Sequence, residues 1–299
     1  MPSPAGSRRY LCNVCGTSND GTATCTEETY PPCIGCGSTV RQRGVLLLLS
    51  RALFGCDLAL CDFPDLPSVC GLGISDPPVI ARPLAKKFRY TNTYYHREPS
   101  LDITAAGPDE HGRYDFIICS EVLEHVTPPV ESAFASLSRL LRPAGFLILT
   151  VPYSVDAQTV EHFEGVSSLT VTSVGGKMIA VGRCADGSFR LFENLVFHVG
   201  EGATLERRMF CEADLLTHLT GAGFTAMTVL YEGGERFGIS FEHPWSLPVL
   251  ASRSETRLPA AGLVELAEGF AAQGRMIRAA EASKWMRLGR AIGLGPKLA

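Results

Sequence analysis

The chain has 299 residues, of which 45% are hydrophobic, and this is ordinary for a globular protein that buries a full core. Its net charge of -4 and its isoelectric point of about 6.0 exclude the basic surface of a bulk nucleic-acid binder. The apolar runs are too short to span a membrane, and the first residues lack the apolar stretch of a secretory signal. We therefore expect a cytoplasmic protein that has neither nucleic acid nor membrane as a partner.

Two cysteine pairs stand out near the amino terminus. Both have the form CxxCG, and residues 16–32 lie between them. Two such turns at this spacing are typical of a tetrahedral zinc site in which four thiolates leave no open position. We therefore predict a zinc ribbon over residues 1–42, with a structural Zn2+ bound by Cys12, Cys15, Cys33 and Cys36. The alternative, a group of free buried thiols, does not account for the glycine that follows each pair.

An apolar helix is predicted over Val45–Phe54, directly after the ribbon. Farther along, Ser68–Asp76 predicts a strand that ends in a glycine-rich turn, where Gly71 and Gly73 would let the backbone approach a ligand. A GxG pair by itself is weak evidence because many turns are rich in glycine. Its place before a strand–helix–strand series strengthens it.

The clearest pattern lies over residues 114–152 and predicts a strand, a helix and a second strand. Phe116–Cys119 is a short continuous apolar run, which is typical of a parallel strand covered on both faces. Pro143 and Gly145 are predicted to end the helix, and Phe146–Val151 to form the next strand. The apolar residues at helical spacing are Val130, Phe134, Leu137 and Leu141.

After this unit the pattern changes to apolar–polar alternation. With the turn signals Gly175-Gly176 and Asp186-Gly187, it predicts an inserted β-meander over residues 159–209. The insertion lies at the carboxyl end of the sheet, so we expect it to form a cap over the substrate. A helix over Phe210–Gly223 and strands over Met227–Tyr231 and Leu247–Ala251 are predicted to follow.

Residues 43–252 are thus predicted to form the main domain, and residues 253–299 a helical tail. The tail carries several basic side chains, and we expect it to pack on the body or on a second subunit in a homodimer. The alternative is contact between its basic side and a membrane or another anionic partner.

The runs YDFIICSEVLEHV and RLLRPAGFLILTVP resemble the corresponding region of class I S-adenosylmethionine (SAM) dependent methyltransferases. The CxxCG pairs and the run YTNTYYHREPSLDIT further resemble a subgroup that has an amino-terminal zinc-knuckle segment and a degenerate glycine loop. The resemblance covers residues 12–252. It implies an α/β fold with a Rossmann-like sheet of seven strands, methyltransferase activity, and SAM as the cofactor.

The resemblance also implies which residues meet SAM at the carboxyl edge of the sheet. Ser75 stands in place of a third glycine, and no acid ends the second strand to bind the ribose. Asn92 and Tyr94, or alternatively Glu98, would take that role; otherwise SAM binding is compromised. Asp102 would accept a hydrogen bond from the adenine amino group, and the next residue would pack on the ring. The implied cofactor-binding residues are Gly71, Gly73, Ser75, Asn92, Tyr94, Asp102, Ile103, Cys119, Ser120 and Glu121.

Methyl transfer is an in-line displacement that mainly requires alignment of donor and acceptor. A general base helps only where the acceptor atom carries a proton at the working pH. His162 and His198 in the predicted cap are the candidate catalytic bases, since histidine has an unperturbed pKa of about 6.5. As an alternative, either histidine only makes hydrogen bonds within the cap.

We expect the acceptor to be a small molecule, such as a secondary metabolite or a sugar, because the chain is acidic and has no basic face. One alternative is a protein or RNA methyltransferase that docks its substrate on the zinc ribbon. Another is a non-catalytic or regulatory SAM-binding protein, which the missing ribose acid suggests.

Overall fold

The amino-terminal segment joins the two cysteine pairs to a helix without a linker. The computed structural model of the chain describes residues 8–21, 32–198, 204–241 and 243–254, and a few positions between 269 and 284. Strands β1 (Arg8–Leu11) and β2 (Ser18–Gly21) form an antiparallel hairpin. Helix α1 (Val40–Phe54) begins just after the second cysteine pair, where Thr39 and Gln42 form a capping box. The helix starts earlier than predicted, so the predicted domain boundary after residue 42 falls inside its first turn.

A buried arginine connects this segment to a distant loop through hydrogen bonds. Arg43 is fully buried; its Nη1 donates to the carbonyl of Ser38 at 2.7 Å and its Nη2 to that of Gly238 at 3.0 Å. The guanidinium carbon lies 5.0 Å from the centre of the Tyr10 ring, in cation–π contact. Asn13, within the first cysteine pair, donates to the Arg43 carbonyl at 2.8 Å. These contacts hold the cysteine pairs, the helix and a distant loop in one arrangement.

The middle of the chain consists of strands and helices in succession, including the strand–helix–strand unit predicted over residues 114–152. The elements are β3 (Leu66–Ile74), α2 (Pro78–Lys87), β4 (Phe88–Thr93), β5 (Tyr114–Ser120), α3 (Glu131–Leu140) and β6 (Leu141–Thr150). β3 pairs in parallel with both β4 and β5, and β5 pairs in parallel with β6. The apolar face predicted for α3 is buried, with Phe134 and Leu137 fully enclosed.

The junction between α3 and β6 differs from the prediction. The helix ends at Leu140 and the strand begins at once, so Pro143 and Gly145 lie inside β6 rather than at the end of a helix. A Cβ on Gly145 would lie 2.9 Å from the carbonyl oxygen of Tyr114, and the register between the two strands shifts close by. Glycine is therefore needed here because two strands approach closely, and not because the chain turns.

The insertion after β6 consists of short, mostly antiparallel strands. They are β7 (Tyr153–Ser154), β8 (Val160–Glu161), β9 (Val166–Val174), β10 (Lys177–Cys184), β11 (Phe189–Phe192), β12 (Phe197–His198), β13 (Thr204–Leu205) and β14 (Arg208–Cys211). β9, β10 and β11 form an antiparallel meander, as predicted, and β12 pairs with β13. β14 then pairs with β7 in parallel and with β8 in antiparallel orientation.

Helix α4 (Glu212–Gly221) and strands β15 (Ala226–Val229) and β16 (Val249–Ser252) complete the fold. The central sheet has the order β15–β16–β6–β5–β3–β4, with β16 antiparallel to both neighbours. The described residues thus form six strands where seven were predicted, because after β4 only an isolated bridge joins Tyr94 to Ser100. The predicted helical tail falls outside the described residues, apart from a few positions. Within the described ranges, no helix is long and apolar enough to cross a membrane.

Gly71 and Gly73 lie inside β3 and not in a turn, which corrects the role predicted for them. A Cβ on Gly71 would meet the rings of Phe116 and Tyr90. A Cβ on Gly73 would lie 2.7 Å from the carboxylate oxygen Oδ2 of Asp76, and would also meet the Tyr90 hydroxyl. Tyr90 and Phe116 stack with ring centres 5.9 Å apart. These glycines therefore make room for side chains of the protein itself.

We predict that Gly73→Ala lowers the free energy of unfolding by about 1–3 kcal/mol, because the added methyl group has no space. Urea denaturation followed by circular dichroism measures this change. Gly107→Ala is the matched control, since nothing lies within 4 Å of its Cβ position and its φ is -69°. Equal stability of the two variants would contradict the packing role of Gly73.

Candidate functional site

The carboxyl ends of β3 and β4 are tied together by hydrogen bonds. Ser75 has the left-handed φ of 60°, and its amide donates to the carbonyl of Thr93 at 2.7 Å. The Asn92 amide group accepts from the Asp76 amide at 2.9 Å and donates to the Asp76 carbonyl at 2.8 Å. Its second N–H donates to the Tyr94 hydroxyl at 2.9 Å. The predicted residues Ser75, Asn92 and Tyr94 thus lie together, but both N–H groups of Asn92 are already used.

Asp76 is a buried acid at this edge that the sequence analysis did not single out. Its carboxylate accepts a hydrogen bond from the Tyr90 hydroxyl, and only 3% of the residue is exposed. Burial raises the pKa of Asp76 to about 7, while the hydrogen bond from Tyr90 lowers it. The signal that could have revealed it was the acid directly after the GxGxS run.

The end of β5 holds the next three predicted residues. Cys119 is fully buried, so its thiol has no exposed surface to offer a cofactor. Ser120 shares a hydrogen bond of 2.7 Å between its hydroxyl and that of Thr150. Glu121 has a φ of 56° and forms an ion pair of 2.9 Å with Arg41, which lies in the first turn of α1. Helix α1 thus contributes a cation to the carboxyl edge of the sheet.

In the predicted adenine-binding turn, the side chain that can contact a ligand is that of Asp102. Asp102 accepts hydrogen bonds from the amide of Thr104 at 2.8 Å and from its hydroxyl at 2.6 Å, both at Oδ1. Ile103 is 5% exposed and packs in the core, so little of its side chain is open to an adenine ring. Asp102 therefore remains the candidate that can meet a ligand.

A groove lies beside the end of β4, along helix α2. It has a volume of about 600 Å³ and is lined in part by Asn92, Tyr94, Arg97 and Glu98. The guanidinium of Arg97 lies 3.7 Å from the centre of the Tyr94 ring. Glu98 accepts from the amide of Ser100 at 3.0 Å. The side chains predicted as alternatives for ribose binding thus face one groove.

The carboxyl edge is acidic. Burial raises the pKa of the Cys119 thiol well above its usual value, and the charges of Glu124, Asp76 and Glu121 raise it further. Burial also raises the pKa of Glu124, and the charge of Glu121 is the second largest cause that raises it. The side chain of Glu124 is fully buried next to His125, with 3.6 Å between Oε1 and Nε2. A positively charged ligand at this edge would stabilise the ionised forms of these acids.

A second buried arginine joins the insertion to this edge. Arg208 is fully buried, and its Nε donates to Glu161 at 2.6 Å. Its Nη1 donates to the carbonyls of Leu123 at 3.0 Å and Val126 at 2.7 Å, on either side of the short turn that follows β5. The neighbouring Arg207 amide donates to the carbonyl of Glu124 at 2.9 Å. The inserted strands are therefore held directly against the carboxyl edge.

The insertion forms a half-open cavity that is lined by one of the two predicted histidines. The Nε2 atom of His162 lies 3.1 Å from Oε1 of Glu206. The cavity has a volume of about 340 Å³ and is lined mainly by His162, Phe163, Phe192, Glu193, Asn194 and Glu206. His198 lies in β12, and its side chain is outside what the structure describes. The structure thus gives His162 an acidic partner that local sequence patterns could not reveal.

The four predicted cysteines converge on one point. Their sulfur atoms all lie within 4.8 Å of one another, with 3.7 Å between Cys12 and Cys36 and 3.7 Å between Cys15 and Cys33. Four thiolates around a tetrahedral zinc at about 2.3 Å each would lie about 3.8 Å apart. The amide of Gly35 also donates to the Cys33 sulfur at 3.4 Å. This donor set fits a closed tetrahedral metal site.

Residues 50–172 match the model of a family described as "Methyltransferase domain". Residues 50–172 thus form a methyltransferase domain. The match confirms the predicted family and the predicted class of enzyme, and the mixed, mostly parallel sheet confirms the fold class. The matched part of the methyltransferase domain runs from α1 into β9 and leaves out the cysteine pairs.

Several solved structures are similar to the chain. CalS10, a SAM-bound amino pentose methyltransferase from Micromonospora echinaspora, has 14% identity and a TM-score of 0.40, covering 74% of this chain and 94% of that one. DesVI from Streptomyces venezuelae has 14% identity and a TM-score of 0.36, covering 62% and 84%. A SAM-dependent methyltransferase from Clostridium acetobutylicum has 10% identity and a TM-score of 0.40, covering 75% and 95%. No curated protein matches the chain.

We predict that Asp76→Asn makes the protein more stable relative to the wild type as the pH rises. Because the folded pKa of Asp76 is about 7 and the unfolded value is about 3.9, the unfolded chain loses this proton first. The free energy of unfolding of the wild type should therefore fall as the pH rises from 4 to 7. The variant should not show this fall, because it has no carboxyl group at position 76. Urea denaturation at pH 5 and pH 8 measures it.

The exposed Asp156 provides the control for this measurement, as Asp156→Asn. Stability profiles of wild type and Asp76→Asn that run parallel from pH 5 to pH 8 would refute the assignment.

Proposed function

We propose that the chain transfers the methyl group of SAM to a small-molecule acceptor. The observation that carries this proposal is the methyltransferase domain over residues 50–172, whose parallel strands end at an acidic edge. SAM supplies a methyl group on a positively charged sulfur and also carries an ammonium group. Both charges would be stabilised by the carboxylate of Glu121 and by the ionised form of Asp76, whose pKa is about 7.

The residues present fit SAM in charge and in hydrogen-bonding groups, although not through a glycine loop. The space that a Cβ would take at Gly73 is filled by the protein, so this position offers no opening to a ligand. Tyr94 and Glu98 line the groove at the end of β4 and would bind the ribose hydroxyls. Asp102 would accept from the adenine amino group, and Ser120 and Glu121 would border the methionine part. These assignments follow the resemblance as corrected by the geometry.

The protein's own contribution to methyl transfer is alignment of the two reactants and removal of a proton where the acceptor carries one. His162 is our candidate for the base. When Nε2 carries the proton donated to Glu206, Nδ1 is left with the lone pair that accepts a proton. His198 remains the second candidate base.

One observation favours a second candidate function, a non-catalytic SAM-binding protein on a methyltransferase fold. Asn92 is occupied by the backbone of Asp76, and no acid ends β4. Binding of SAM without methyl transfer to any component of a host metabolite extract would favour this candidate. Transfer of radiolabel from SAM to such a component would exclude it.

SAM binding to the full-length protein tests the main proposal. We predict measurable SAM affinity by titration calorimetry, and a loss of about tenfold in Asp102→Asn, which corresponds to about 1.4 kcal/mol. Asparagine can still accept from Thr104 through Oδ1, whereas its amide group cannot accept from adenine. Asp109→Asn, an exposed acid a few residues away, is the control. Absence of SAM binding in the wild type would contradict the proposal.

We further propose that Cys12, Cys15, Cys33 and Cys36 bind a structural Zn2+ within an amino-terminal ribbon. Support comes from their convergence and from the burial of Cys12 and Cys33 in the core that also contains Val40. A closed site of this kind contributes to folding and keeps no position for a reactant.

Metal analysis and thermal unfolding test the zinc proposal. We predict one zinc ion per chain in the purified protein and none in Cys33→Ser, with a lower melting temperature because metal binding is coupled to folding. Cys184→Ser, a change in β10 far from the cluster in sequence, should keep both the metal and the stability. Full zinc content in Cys33→Ser would rule the site out.

A further inference from the structure

We propose that the cavity within the insertion is the acceptor-binding pocket and that it selects a small molecule carrying a protonated amine on a polar ring. This inference rests on the proposed function for its biological meaning, but the binding itself can be measured without SAM. The cavity volume of about 340 Å³ lies at the lower end of the range for pockets that enclose small ligands. A single ring of monosaccharide size suits such a space.

The charge of the cavity favours a cation. Two carboxylates, Glu193 and Glu206, line it, and His162 is the one basic side chain among its lining residues. Glu206 is nearly buried, with its side chain 6% exposed, so its charge is poorly screened by water. Lys177 lies 3.4 Å from Glu193, but both of these side chains are more than half exposed and their pairing is weak. An anionic ligand would face repulsion here, and an ammonium group would be attracted.

The remaining walls suit a ring with one apolar face. Phe163 and Phe192 meet edge to face with ring centres 5.0 Å apart, and both line the cavity. The guanidinium of Arg190 lies 5.1 Å from the centre of the Phe192 ring, so this ring already serves as a cation partner within the protein. Asn194 adds an amide that can both donate to and accept from ring hydroxyls.

The position of the cavity connects it to the carboxyl edge. His162 directly follows Glu161, whose carboxylate accepts a hydrogen bond from Arg208. Glu206 directly precedes Arg207, whose amide donates to the carbonyl of Glu124. The amide of His162 itself donates to the Arg207 carbonyl at 2.8 Å. His162 and Glu206 are therefore direct chain neighbours of residues that bond to the turn after β5. The pocket is thereby connected to the carboxyl edge through hydrogen bonds of residues next to its lining.

Ligand-observed NMR on the full-length, zinc-containing protein tests this pocket with three matched probes. Glucosamine, glucose and glucuronic acid share one ring and differ in charge. We expect glucosamine to bind at millimolar concentration, glucose at least about tenfold more weakly, and glucuronic acid not at all. Glucose or glucuronic acid binding as tightly as glucosamine would overturn the proposal, as would no binding of glucosamine.

Two variants locate the binding. Glu206→Gln and Glu193→Gln should each weaken glucosamine binding at least about threefold. Glu193 is exposed, so its replacement leaves the core untouched if Glu206→Gln proves unstable. Glu164→Gln is the matched control because this neighbouring acid is exposed and does not line the cavity. Unchanged glucosamine binding in Glu193→Gln, or in a folded Glu206→Gln, would overturn the proposal.

The two proposals fail separately. If SAM does not bind but glucosamine does, the proposed methyl transfer falls and the amine-binding pocket stands. If SAM binds normally and the probes are not distinguished by charge, only the pocket proposal falls.

Discussion

The buried guanidinium of Arg208 is the interaction on which the arrangement of the site depends. It joins Glu161 on one inserted strand to the carbonyls of Leu123 and Val126 at the edge of the central sheet. A buried cation is tolerated only where its hydrogen bonds are satisfied, and breaking such a group is strongly destabilising. The insertion thus has one defined position against the sheet. The residues next to this contact, His162 and Glu206, take their places from it.

The parts of the fold that were predicted correctly are those encoded by local patterns. Helix α3 follows from apolar residues at helical spacing, and the meander of β9, β10 and β11 from alternation with paired glycine turns. The cysteine cluster belongs to the same class, because each CxxC turn brings two sulfurs together regardless of the rest of the chain. These features need no knowledge of distant residues.

Glycine was the residue that misled the prediction. At Gly71, Gly73 and Gly145 the missing side chain leaves room for a neighbouring ring, a carboxylate or a carbonyl oxygen of the protein. A sequence shows that a side chain is absent but not what fills the space, so a ligand-binding turn and a crowded strand look alike. The early start of α1 was missed although Thr39 and Gln42 have the spacing of a capping box before an apolar run, a signal that the sequence does carry.

The candidate site itself could be predicted only in part, because its pairs are far apart in the chain. Arg41 meets Glu121, and His162 meets Glu206, through the topology of the sheet and its insertion. No spacing rule connects such residues. Asp76 and Tyr90 are closer in sequence, yet their contact requires β3 and β4 to pair in their particular register.

Helix α1 begins almost directly after the second cysteine pair, and this limits where the chain can be truncated or fused to another protein. Only Gly37 and Ser38 separate Cys36 from the helix cap at Thr39, and Arg43 in the next turn binds both Ser38 and Gly238. A junction placed between the cysteine segment and the methyltransferase domain would open the helix cap and strip a buried guanidinium of a partner. The cysteine segment therefore cannot be exchanged on its own without breaking these contacts. Gene fusion, truncation and evolutionary exchange must carry it together with α1.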